Sequence, residues 1–428
     1  MLPIVSFEDR RDKLPRIFDR GAVFSDEIDA AVSDILRDVR ERRDEALLDL
    51  TERFDGVRPA RLRISTERLA EAYSDLDPEL RDIFSEAASN IRRFHEKQVR
   101  SSWFSDEDDG VMLGQRFVPL DRAGVYVPGG TAAYPSTVLM SVIPAQVAGV
   151  RDIQLTSPPG DDGEPHPFVL AAAHFLGLDA IYAVGGAQAI GALAYGTQTI
   201  PRVDKIVGPG NVYVAAAKKQ VYGQVDIDSI AGPSEIVVLA DDGADSGFAA
   251  ADLLSQAEHD PRASAVLVTT DAAFAARVRE RAIEMAADLP RREIVEASLA
   301  DFGACIVADT MEQAVDVVNE LAPEHLELLV RDPEGVLGQV RHAGAIFLGP
   351  YSPEPVGDYF AGPNHVLPTG GTARYASALD VTDFLRRQSI VAYTRERLAK
   401  TGARIATFAR AEDLEAHARA VEIRIDDR

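Results

Sequence analysis

The feature that most constrains the fold is an alternation of short apolar strands, glycine turns and helical segments that begins near residue 123. It reads GVYVPGG, a helix from Ser136, then DIQLTSP, DAIYAVGGAQAIGALAYG, KIVGPGN and SEIVVLAD. A similar alternation returns in SAVLVTT, ACIVADT and GAIFLGP. Strands that alternate with helices form mostly parallel sheets, so the sequence predicts an α/β protein with two such sheets.

The segments on either side of this alternation are predicted to be mainly helical. To about residue 120 the chain has helices with strand pieces: Ser25 begins SDEIDAAVSDILRDV, whose apolar residues recur at helical spacing, and Asp77-Pro78 begins another such segment. A largely helical tail runs to Arg428.

One connecting segment, Gly349 to Gly371, is too long for a simple turn. Its sequence, GPYSPEPVGDYFAGPNHVLPTGG, is rich in Gly and Pro and has little periodicity. Loops of this length in compact proteins are usually functional or disordered. Tyr359, Phe360 and Val366 favour a packed, functional loop.

Composition and charge exclude several classes of function. A chain of 428 residues with 46% hydrophobic content is long enough for two or three domain-sized cores. Its net charge of -24 argues against binding to nucleic acid or to anionic membrane surfaces. The start, MLPIVSFEDRRDK, is unlike a signal peptide, and the chain has no apolar run of about 18 residues, so we expect a cytoplasmic protein.

A single cysteine, Cys305, limits the chemistry further. Its surroundings, FGACIVAD, read as a buried strand, so an inert core thiol is favoured over a nucleophile. A disulfide within the chain and a cysteine-rich zinc site are both excluded. A bound metal ion would therefore need His, carboxylate or amide ligands.

Three glycine turns follow predicted strands in the first alternation. Gly185 and Gly186 lie between an apolar strand and a helix, an arrangement that lets backbone N–H groups approach a pyrophosphate. YVPGG, from Tyr126, and GPGN, ending at Asn211, are similar turns. Neither GxGxxG nor a P-loop motif occurs, and one such turn alone is explained equally well as a tight strand-to-helix connection. Together, the three turns favour a nucleotide-binding crevice at the strand ends.

The helix end LLSQAEHDP carries two possible metal ligands. Gln256 and His259 stand three residues apart, on one face of a helix that Asp260 and Pro261 terminate. On these residues alone, a polar helix end facing water is favoured over a metal site.

A second pair of polar residues lies in LAPEHLELL. Glu324 and His325 follow Pro323, which favours a helix start here. Glu324 could simply complement the helix dipole while His325 faces solvent, or the two could form an acid and imidazole pair for proton transfer. Asp358, His365 and His417 are the remaining candidates for chemistry.

Eight of these stretches resemble the histidinol dehydrogenase family. They are YVPGG, VGGAQAIGALAYGT, KIVGPGN, AGPSEI, LLSQAEHDP, LAPEHLEL, GDYFAGPNHVLPT and AEDLEAHARAVEIR, and they occur in the family's order from about residue 20 to the end. Members of this family are zinc- and NAD-dependent oxidoreductases that catalyse the last two steps of histidine biosynthesis, from L-histidinol through L-histidinal to L-histidine.

The resemblance assigns roles to particular residues. It implies one Zn²⁺ per subunit, held by Gln256, His259, Asp358 and His417. NAD would contact Tyr126, Gln188 and Asn211, and Glu324 and His325 would be catalytic. The implied substrate contacts are Ser234, Gln256, His259, His325, Asp358, Glu412 and His417.

The resemblance also implies a domain organisation. Two incomplete Rossmann-like parallel-sheet domains would carry small helical N- and C-terminal extensions and assemble as a homodimer with shared active sites. The predicted divisions are an extension at 1–24, a discontinuous domain at 25–125 with 236–378, an NAD-binding domain at 126–235, and an extension at 379–428 that contributes to the partner's active site.

The chemistry of the implied reaction suggests how the residues divide the work. Oxidising an alcohol to an acid passes through an aldehyde and needs two NAD molecules in turn. His325 would remove the alcohol proton, and Glu324 with His325 would activate water for the second oxidation. Zinc would act mainly as a template for the substrate, and closure of the loop at 349–371 would retain the aldehyde.

Three alternatives are open at this stage. A sister enzyme with the same zinc and NAD residues could oxidise another small alcohol, such as a sulfonated diol, although Glu412 beside His417 favours histidinol. A zinc hydrolase lacks support because HExxH is absent. A non-catalytic NAD-binding regulator would not need Glu324 and His325.

The implied substrate contacts also set a geometric condition. Glu412 and His417 can reach one site only if Glu412 lies at or before a helix start.

Overall fold

The computed structural model describes residues 2–20, 25–107, 109–129 and 134–425. Residues 1 and 21–24 of the predicted N-terminal extension, Gly130 of the YVPGG turn, and residues 426–428 of the predicted C-terminal extension lie outside these ranges. The described strands are β1 (Ile4–Ser6), β2 (Trp103–Glu107), β3 (Val111–Pro119), β4 (Arg122–Tyr126), β5 (Asp152–Ser157), β6 (Ile181–Ala183), β7 (Lys205–Val207), β8 (Asp226–Ile227), β9 (Glu235–Ala240), β10 (Ser264–Thr269), β11 (Gly303–Val307), β12 (His325–Leu329), β13 (Ala345–Leu348) and β14 (Leu385–Tyr393).

The helices connect these strands and begin where local sequence signals predict. Ser25 and Asp77 act as N-caps, as expected, because their side chains accept hydrogen bonds from the first-turn N–H groups of Ile28 and Glu79. The described helices are α1 (Arg10–Lys13), α2 (Pro15–Phe18), α3 (Asp26–Arg42), α4 (Asp44–Asp55), α5 (Thr66–Ser74), α6 (Pro78–Glu96), α7 (Pro135–Ala148), α8 (Pro167–Phe175), α9 (Gly186–Tyr195), α10 (Val212–Val221), α11 (Ser246–Ala257), α12 (Ala272–Ala286), α13 (Arg292–Asp301), α14 (Met311–Leu321), α15 (Pro333–Leu337), α16 (Glu354–Val356), α17 (Arg395–Ala411) and α18 (Glu415–Glu422).

Two parallel sheets form the body of the protein, as the strand and helix alternation predicts. Within the described residues, one sheet has the order β6-β5-β4-β7-β8 and the other has the order β1-β11-β10-β9-β12-β13. In each sheet the chain first moves outward in one direction and then returns to the other side of its first long strand. This reversal, between β4 and β7 and between β9 and β12, is the switch point at which α/β proteins bind ligands. The predicted α/β fold with two Rossmann-like sheets is confirmed.

The larger sheet is covered by helices on both faces. Along β9, Ile236 and Val238 pack with α11, α12 and α13, whereas Val237 and Leu239 pack with α2, α14 and α15. Because side chains alternate along a strand, a strand that is buried on both faces needs this continuous apolar run. Cys305 lies in the same core on β11 and is fully buried, as expected.

Residues 25–55 belong to the core of the smaller sheet. α3 and α4 pack on α9 and α10, and Val32, Val39 and Leu47 share one apolar cluster with Tyr126 and Ile190. The predicted boundaries grouped residues 25–125 with the other sheet. That division into domains stays a prediction. The packing described here places α3 and α4 against helices of the smaller sheet, so it concerns the boundary at residue 25.

The chain divides into two compact units. Unit 1 comprises Met1–Gln98 and Asp121–Phe384 and contains both parallel sheets. Unit 2 comprises Val99–Leu120 and Leu385–Arg428. Among the described residues of unit 2, β2, β3 and β14 form an antiparallel sheet, and α17 packs against α18. The predicted C-terminal extension therefore includes a strand as well as helices, and β1 adds a parallel edge strand from the N-terminal extension.

The prediction that Pro323 begins a helix is wrong. Ala322 adopts a left-handed conformation that ends α14, and His325 is the first residue of β12. The five residues of β12 are all buried and lie between β9 and β13, so tertiary packing outweighs the local preference.

Among the described residues, none of the helices combines the length and the apolar character that a membrane span requires.

Candidate active site

The predicted catalytic residues lie at the amino edge of the larger sheet. His325 begins β12, Ser234 immediately precedes β9, and α11 returns from the far end of β9 so that Gln256 in its last turn lies at this edge. The edge is held together by a hydrogen bond of 2.9 Å from the Ser264 N–H to the Ser234 carbonyl. Three separate segments thus converge on His325.

The His325 ring is buried and has different surroundings at its two nitrogens. Nδ1 lies 3.1 Å from the Glu235 carbonyl oxygen and 3.0 Å from Gln256 Oε1, both acceptors. Nδ1 therefore carries a proton. Nε2 has no hydrogen-bond partner among the described residues and lies 3.6 Å from Asp358 Oδ1. The geometry leaves Nε2 as the nitrogen available for proton transfer.

Glu324 is buried beside His325. Its Oε2 accepts a hydrogen bond of 2.9 Å from the Glu235 N–H and lies 3.8 Å from His325 Nδ1. Burial raises the pKa of Glu324 to about 8, although His325 and the Glu235 N–H act in the opposite direction. Burial alone would lower the pKa of His325, but the carboxylates of Glu324, Asp358 and Glu354 outweigh it and raise the pKa to about 10. An acid and a base are thus coupled in one dry site.

Asp358 reaches His325 from the long loop at 349–371. It lies in a π-helical turn, Gly357–Ala361, a conformation often found at functional sites. His365 stabilises this turn, because its Nδ1 lies 3.1 Å from the Asp358 carbonyl oxygen. On its other side, His365 Nε2 lies 3.4 Å from Thr137 Oγ1 in the first turn of α7. The loop therefore links the site to the helix that follows the YVPGG turn.

The loop is packed in part, as predicted. Val366 is buried and Asn364 donates a 2.7 Å hydrogen bond to the Met140 carbonyl in α7. Tyr359 and Phe360, which also suggested packing, are 59% and 36% exposed. The packed part is residues 362–369, within which His365 holds the backbone of Asp358.

A chain of three buried carboxyl groups, which begins beside His325 with Glu354, was not predicted as part of the site. Glu354 Oε1 lies 3.9 Å from His325 Nδ1, and Glu354 Oε2 accepts a 3.1 Å hydrogen bond from Ser255 Oγ. The Glu354 N–H donates to Glu327 Oε1 at 2.7 Å, and Glu327 interacts in turn with Asp252. Burial raises the pKa of Glu354 to about 7 and that of Glu327 to about 9. A charged residue within the otherwise apolar strand HLELL was the signal available in the sequence.

The side chains present fit a metal ion. His325, Glu354 and Asp358 form a group whose possible ligand atoms all lie within 4.8 Å of one another. Gln256 Nε2 is buried and has no partner among the described residues, so its amide is only half satisfied. His259 is half-buried and close enough to Asp358 and His325 for their charges to influence its pKa, which burial lowers. Amide, imidazole and carboxylate donors of this kind suit a borderline dication such as Zn²⁺.

A large cavity lies at the carboxyl edge of the smaller sheet. It has a volume of about 1430 Å³, and Tyr126, Gln188 and Asn211 all line it together with Gly129 and Gly186. The three glycine turns thus meet at one crevice, beside the switch point between β4 and β7. A cavity of this size is sufficient for a dinucleotide.

Tyr126 holds the turns of this cavity together. Its Oη accepts a 3.2 Å hydrogen bond from the Gly186 N–H. Gly208 approaches it so closely that a Cβ atom there would lie 2.0 Å from the Tyr126 carbonyl oxygen. Lys218 and Asp228 form a buried ion pair that stabilises the same turn. Lys218 donates to the Gly208 carbonyl at 3.0 Å, and Asp228 accepts a 2.8 Å hydrogen bond from the Gly208 N–H.

Glu412 and His417 belong to unit 2 and are exposed in this chain. Glu412 is the C-cap residue of α17, and His417 lies in the first turn of α18. Glu412 therefore precedes the helix that carries His417, as a shared site requires.

The fold and site together define a class of protein. Two doubly wound parallel sheets, a dinucleotide-sized crevice at a switch point, and a buried acid and imidazole pair beside possible metal ligands are the features of an oxidoreductase of the dinucleotide-dependent dehydrogenase type.

Comparisons with known proteins identify the family. The family model described as "Histidinol dehydrogenase" matches residues 18–425. The histidinol dehydrogenase of Halalkalibacterium halodurans is 57% identical over 397 residues, covering 93% of this chain and 94% of the relative. That of Bacillus subtilis is 55% identical over 414 residues, covering 97% and 96%. The chain belongs to the histidinol dehydrogenase family and is therefore an NAD-dependent oxidoreductase.

A solved structure gives the same result for the fold. The crystal structure of histidinol dehydrogenase from Elizabethkingia anophelis matches with a TM-score of 0.93 and 36% sequence identity, covering 99% of this chain and 98% of that one. The family predicted from the eight sequence motifs is thus confirmed.

Proposed function

We propose that this enzyme oxidises L-histidinol to L-histidine through L-histidinal and reduces two molecules of NAD. One observation carries the proposal: a buried imidazole, His325, lies in direct contact with the carboxylate and amide side chains of Asp358 and Gln256 and beside the carboxyl group of Glu324. This arrangement supplies an imidazole base, a carboxylate that can take a proton from water, and possible metal ligands around one point, which is what successive alcohol and aldehyde oxidation requires.

His325 acts as the base for the alcohol. Its Nδ1–H is occupied by the Glu235 carbonyl and Gln256, so Nε2 is the nitrogen that would accept the hydroxyl proton, once a bound metal cation offsets the carboxylates that raise the pKa of the ring to about 10. Loss of that proton lets the hydride leave the carbinol carbon for the nicotinamide. The ring cannot rotate freely because it is buried between β9 and α11.

Glu324 activates water for the aldehyde step. Its raised pKa, about 8, lets it exchange a proton near neutrality, and the Glu235 N–H holds its carboxyl group in place. A covalent thiol route is unavailable, because Cys305 is fully buried in β11 and burial raises the pKa of its thiol to about 12. Water is therefore the nucleophile, and the hydrated aldehyde gives up the second hydride.

Zinc would be held by Gln256, His259 and Asp358, with His417 of the partner subunit as the fourth ligand. When bound, zinc would orient the substrate's imidazole and amino groups and offset the negative charge of the nearby carboxylates. Ser234 and Glu412 complete the proposed substrate contacts, which otherwise use the zinc ligands and His325. The buried position of Gln256 and the closeness of His259 to Asp358 support this assignment.

NAD would occupy the cavity lined by Tyr126, Gln188 and Asn211. The nicotinamide end would lie close to the metal ligands, because the hydride must pass directly from the substrate to the cofactor. Movement of the loop at 349–371 would close the site and retain the aldehyde between the two oxidations.

A homodimer with shared sites is part of the proposal. On the edge strand β13, Ile346 and Leu348 are exposed, and Tyr351 nearby is 87% exposed. In unit 2, Phe408 is 71% exposed. Exposed apolar side chains of this kind are typical of protein interfaces, and a partner chain would cover them.

We also propose that the enzyme works in the cytoplasm, which a single buried cysteine fits.

A substrate panel tests the proposal. NAD reduction is followed by absorbance with L-histidinol and with other small alcohols, including a sulfonated diol. The proposal expects kcat/KM for L-histidinol to exceed that of every other alcohol by orders of magnitude. Equal or better turnover of another alcohol would contradict it.

A further inference from the structure

Glu235 connects the two proposed catalytic residues through its backbone. Its N–H donates to Glu324 Oε2 at 2.9 Å, and its carbonyl oxygen lies 3.1 Å from His325 Nδ1. The backbone N–H and the carbonyl oxygen of Glu235 thus orient Glu324 and His325, respectively. Any displacement of Glu235 would move Glu324 and His325 relative to the substrate.

The Glu235 side chain is held by two other segments. Its Oε1 accepts a 2.7 Å hydrogen bond from the Gly370 N–H at the end of the long loop. The same oxygen lies 3.2 Å from Arg20 Nε, and the two side chains are only 7% and 10% exposed. Burial raises the pKa of the Glu235 carboxyl group and Arg20 opposes that shift, so the guanidinium group stabilises the charged form of Glu235 in this buried position.

Arg20 also holds the segment that precedes Glu235. Its Nη2 donates to the Pro233 carbonyl at 3.3 Å and to the Arg262 carbonyl at 3.1 Å. Pro233 is the neighbour of Ser234, a proposed substrate contact. One guanidinium group from the N-terminal segment therefore fixes the AGPSEI turn through both a side chain and the backbone.

We propose that Arg20 is a positioning residue that holds Glu235, and through it Glu324 and His325, in the geometry for proton transfer. The inference rests on the proposed function of this site. Arg20 is not among the residues proposed to contact substrate or cofactor. Its role is to fix this buried backbone segment, because its Nε lies beside the Glu235 carboxylate while its Nη2 donates to two carbonyls, a set of contacts that lysine cannot reproduce in full.

The test compares Arg20→Met with a matched variant, Arg10→Met. Arg10 pairs with Glu320 at 2.8 Å, and these side chains are 17% and 15% exposed, so this variant also removes a part-buried Arg–Glu pair of the N-terminal segment. The holoenzymes are assayed for kcat and KM with L-histidinol and NAD, and for melting temperature.

We expect Arg20→Met to lower kcat by about 10²-fold, the effect typical of small misplacements of catalytic groups, with KM for NAD unchanged. Arg20→Lys should recover part of the loss, because it retains the positive charge beside Glu235. Arg10→Met should match the loss of melting temperature and keep its kcat. A kcat for Arg20→Met equal to that of Arg10→Met would overturn the proposal.

A crystal structure of Arg20→Met separates this inference from the proposed function. The Glu235 N–H to Glu324 Oε2 bond, 2.9 Å in the native chain, should be broken or lengthened. Retention of that bond and of the His325 ring position would overturn the positioning role, whatever the substrate is. Absence of turnover of L-histidinol by the native enzyme would refute the proposed function instead.

Discussion

At the scale of single residues, the site depends on the contrast between the two nitrogens of His325. Two acceptors at Nδ1 fix the proton there, and the peptide unit of Glu235 makes contacts to both His325 and Glu324. Glu324 is not among the proposed metal ligands, and its polar side chain is not part of the apolar core. We therefore expect substitutions of Glu324 and His325 to affect catalysis more than stability.

The variants His325→Asn and Glu324→Gln are expected to lose activity and keep their fold and zinc content. Gln at 324 can still accept the hydrogen bond from the Glu235 N–H, so the structure should tolerate it. Loss of a general base typically costs about 10²- to 10⁴-fold in rate. Glu324→Gln should slow the oxidation of supplied L-histidinal more than that of L-histidinol.

His342→Asn provides a control, because His342 lies outside the site and no catalytic role is proposed for it. Rates of both steps are measured separately by supplying the alcohol or the aldehyde. Equal slowing of the two steps by Glu324→Gln would contradict its assignment to water activation.

At the scale of elements, the two sheets use opposite edges. The dinucleotide-sized cavity lies at the carboxyl edge of the smaller sheet, where α/β proteins usually bind ligands. The proposed chemistry lies at the amino edge of the larger sheet, where His325 begins β12. The glycine turns at the first edge permit backbone groups to approach each other more closely than any side chain would allow.

Gly208→Ala is expected to destabilise the protein strongly and to weaken NAD binding. Gly208 has φ of +113°, and an added Cβ atom would lie 2.0 Å from the Tyr126 carbonyl oxygen. Gly223→Ala is the matched control, since Gly223 has φ of +96° and no neighbour within 4 Å of such an atom. The control should lose about 1 to 2 kcal/mol from backbone strain alone.

The excess loss in Gly208→Ala then measures the steric contact with Tyr126. It is determined from chemical denaturation of both variants, with NAD affinity measured by titration. Equal free energies of unfolding for the two variants would show that the turn can relax and that the close approach is not essential.

At the scale of the whole molecule, the sequence predicts what local patterns encode. Apolar strands, glycine turns and N-caps such as Ser25 predicted the two parallel sheets and a crevice at the strand ends, and the family resemblance named Tyr126, Gln188 and Asn211, which line the cavity. The helix start predicted at Pro323 failed, because pairing of His325 with β9 and β13 is a long-range effect. Glu354 and Arg20 were missed for the same reason: their partners are distant in sequence.

The proposed dimer leads to a complementation experiment. His259→Ala and His417→Ala proteins, each inactive, are unfolded together and refolded as mixed dimers. If the partner's His417 completes each zinc site, one site in every mixed dimer regains all four ligands, and activity should return. Heterodimers that are verified to form and yet remain as inactive as their parents would exclude a shared site, because association cannot restore a ligand missing within one chain.

The stoichiometry of the complete reaction shows whether one enzyme carries out both oxidations. A limiting, known amount of L-histidinol is consumed with excess NAD, and NADH, L-histidinal and L-histidine are quantified at the end. A base at His325 and activated water at Glu324 should carry every substrate molecule through both oxidations. We therefore expect two NADH and one L-histidine per L-histidinol, without accumulation of the aldehyde. One NADH per L-histidinol, with the aldehyde as the final product, would contradict it.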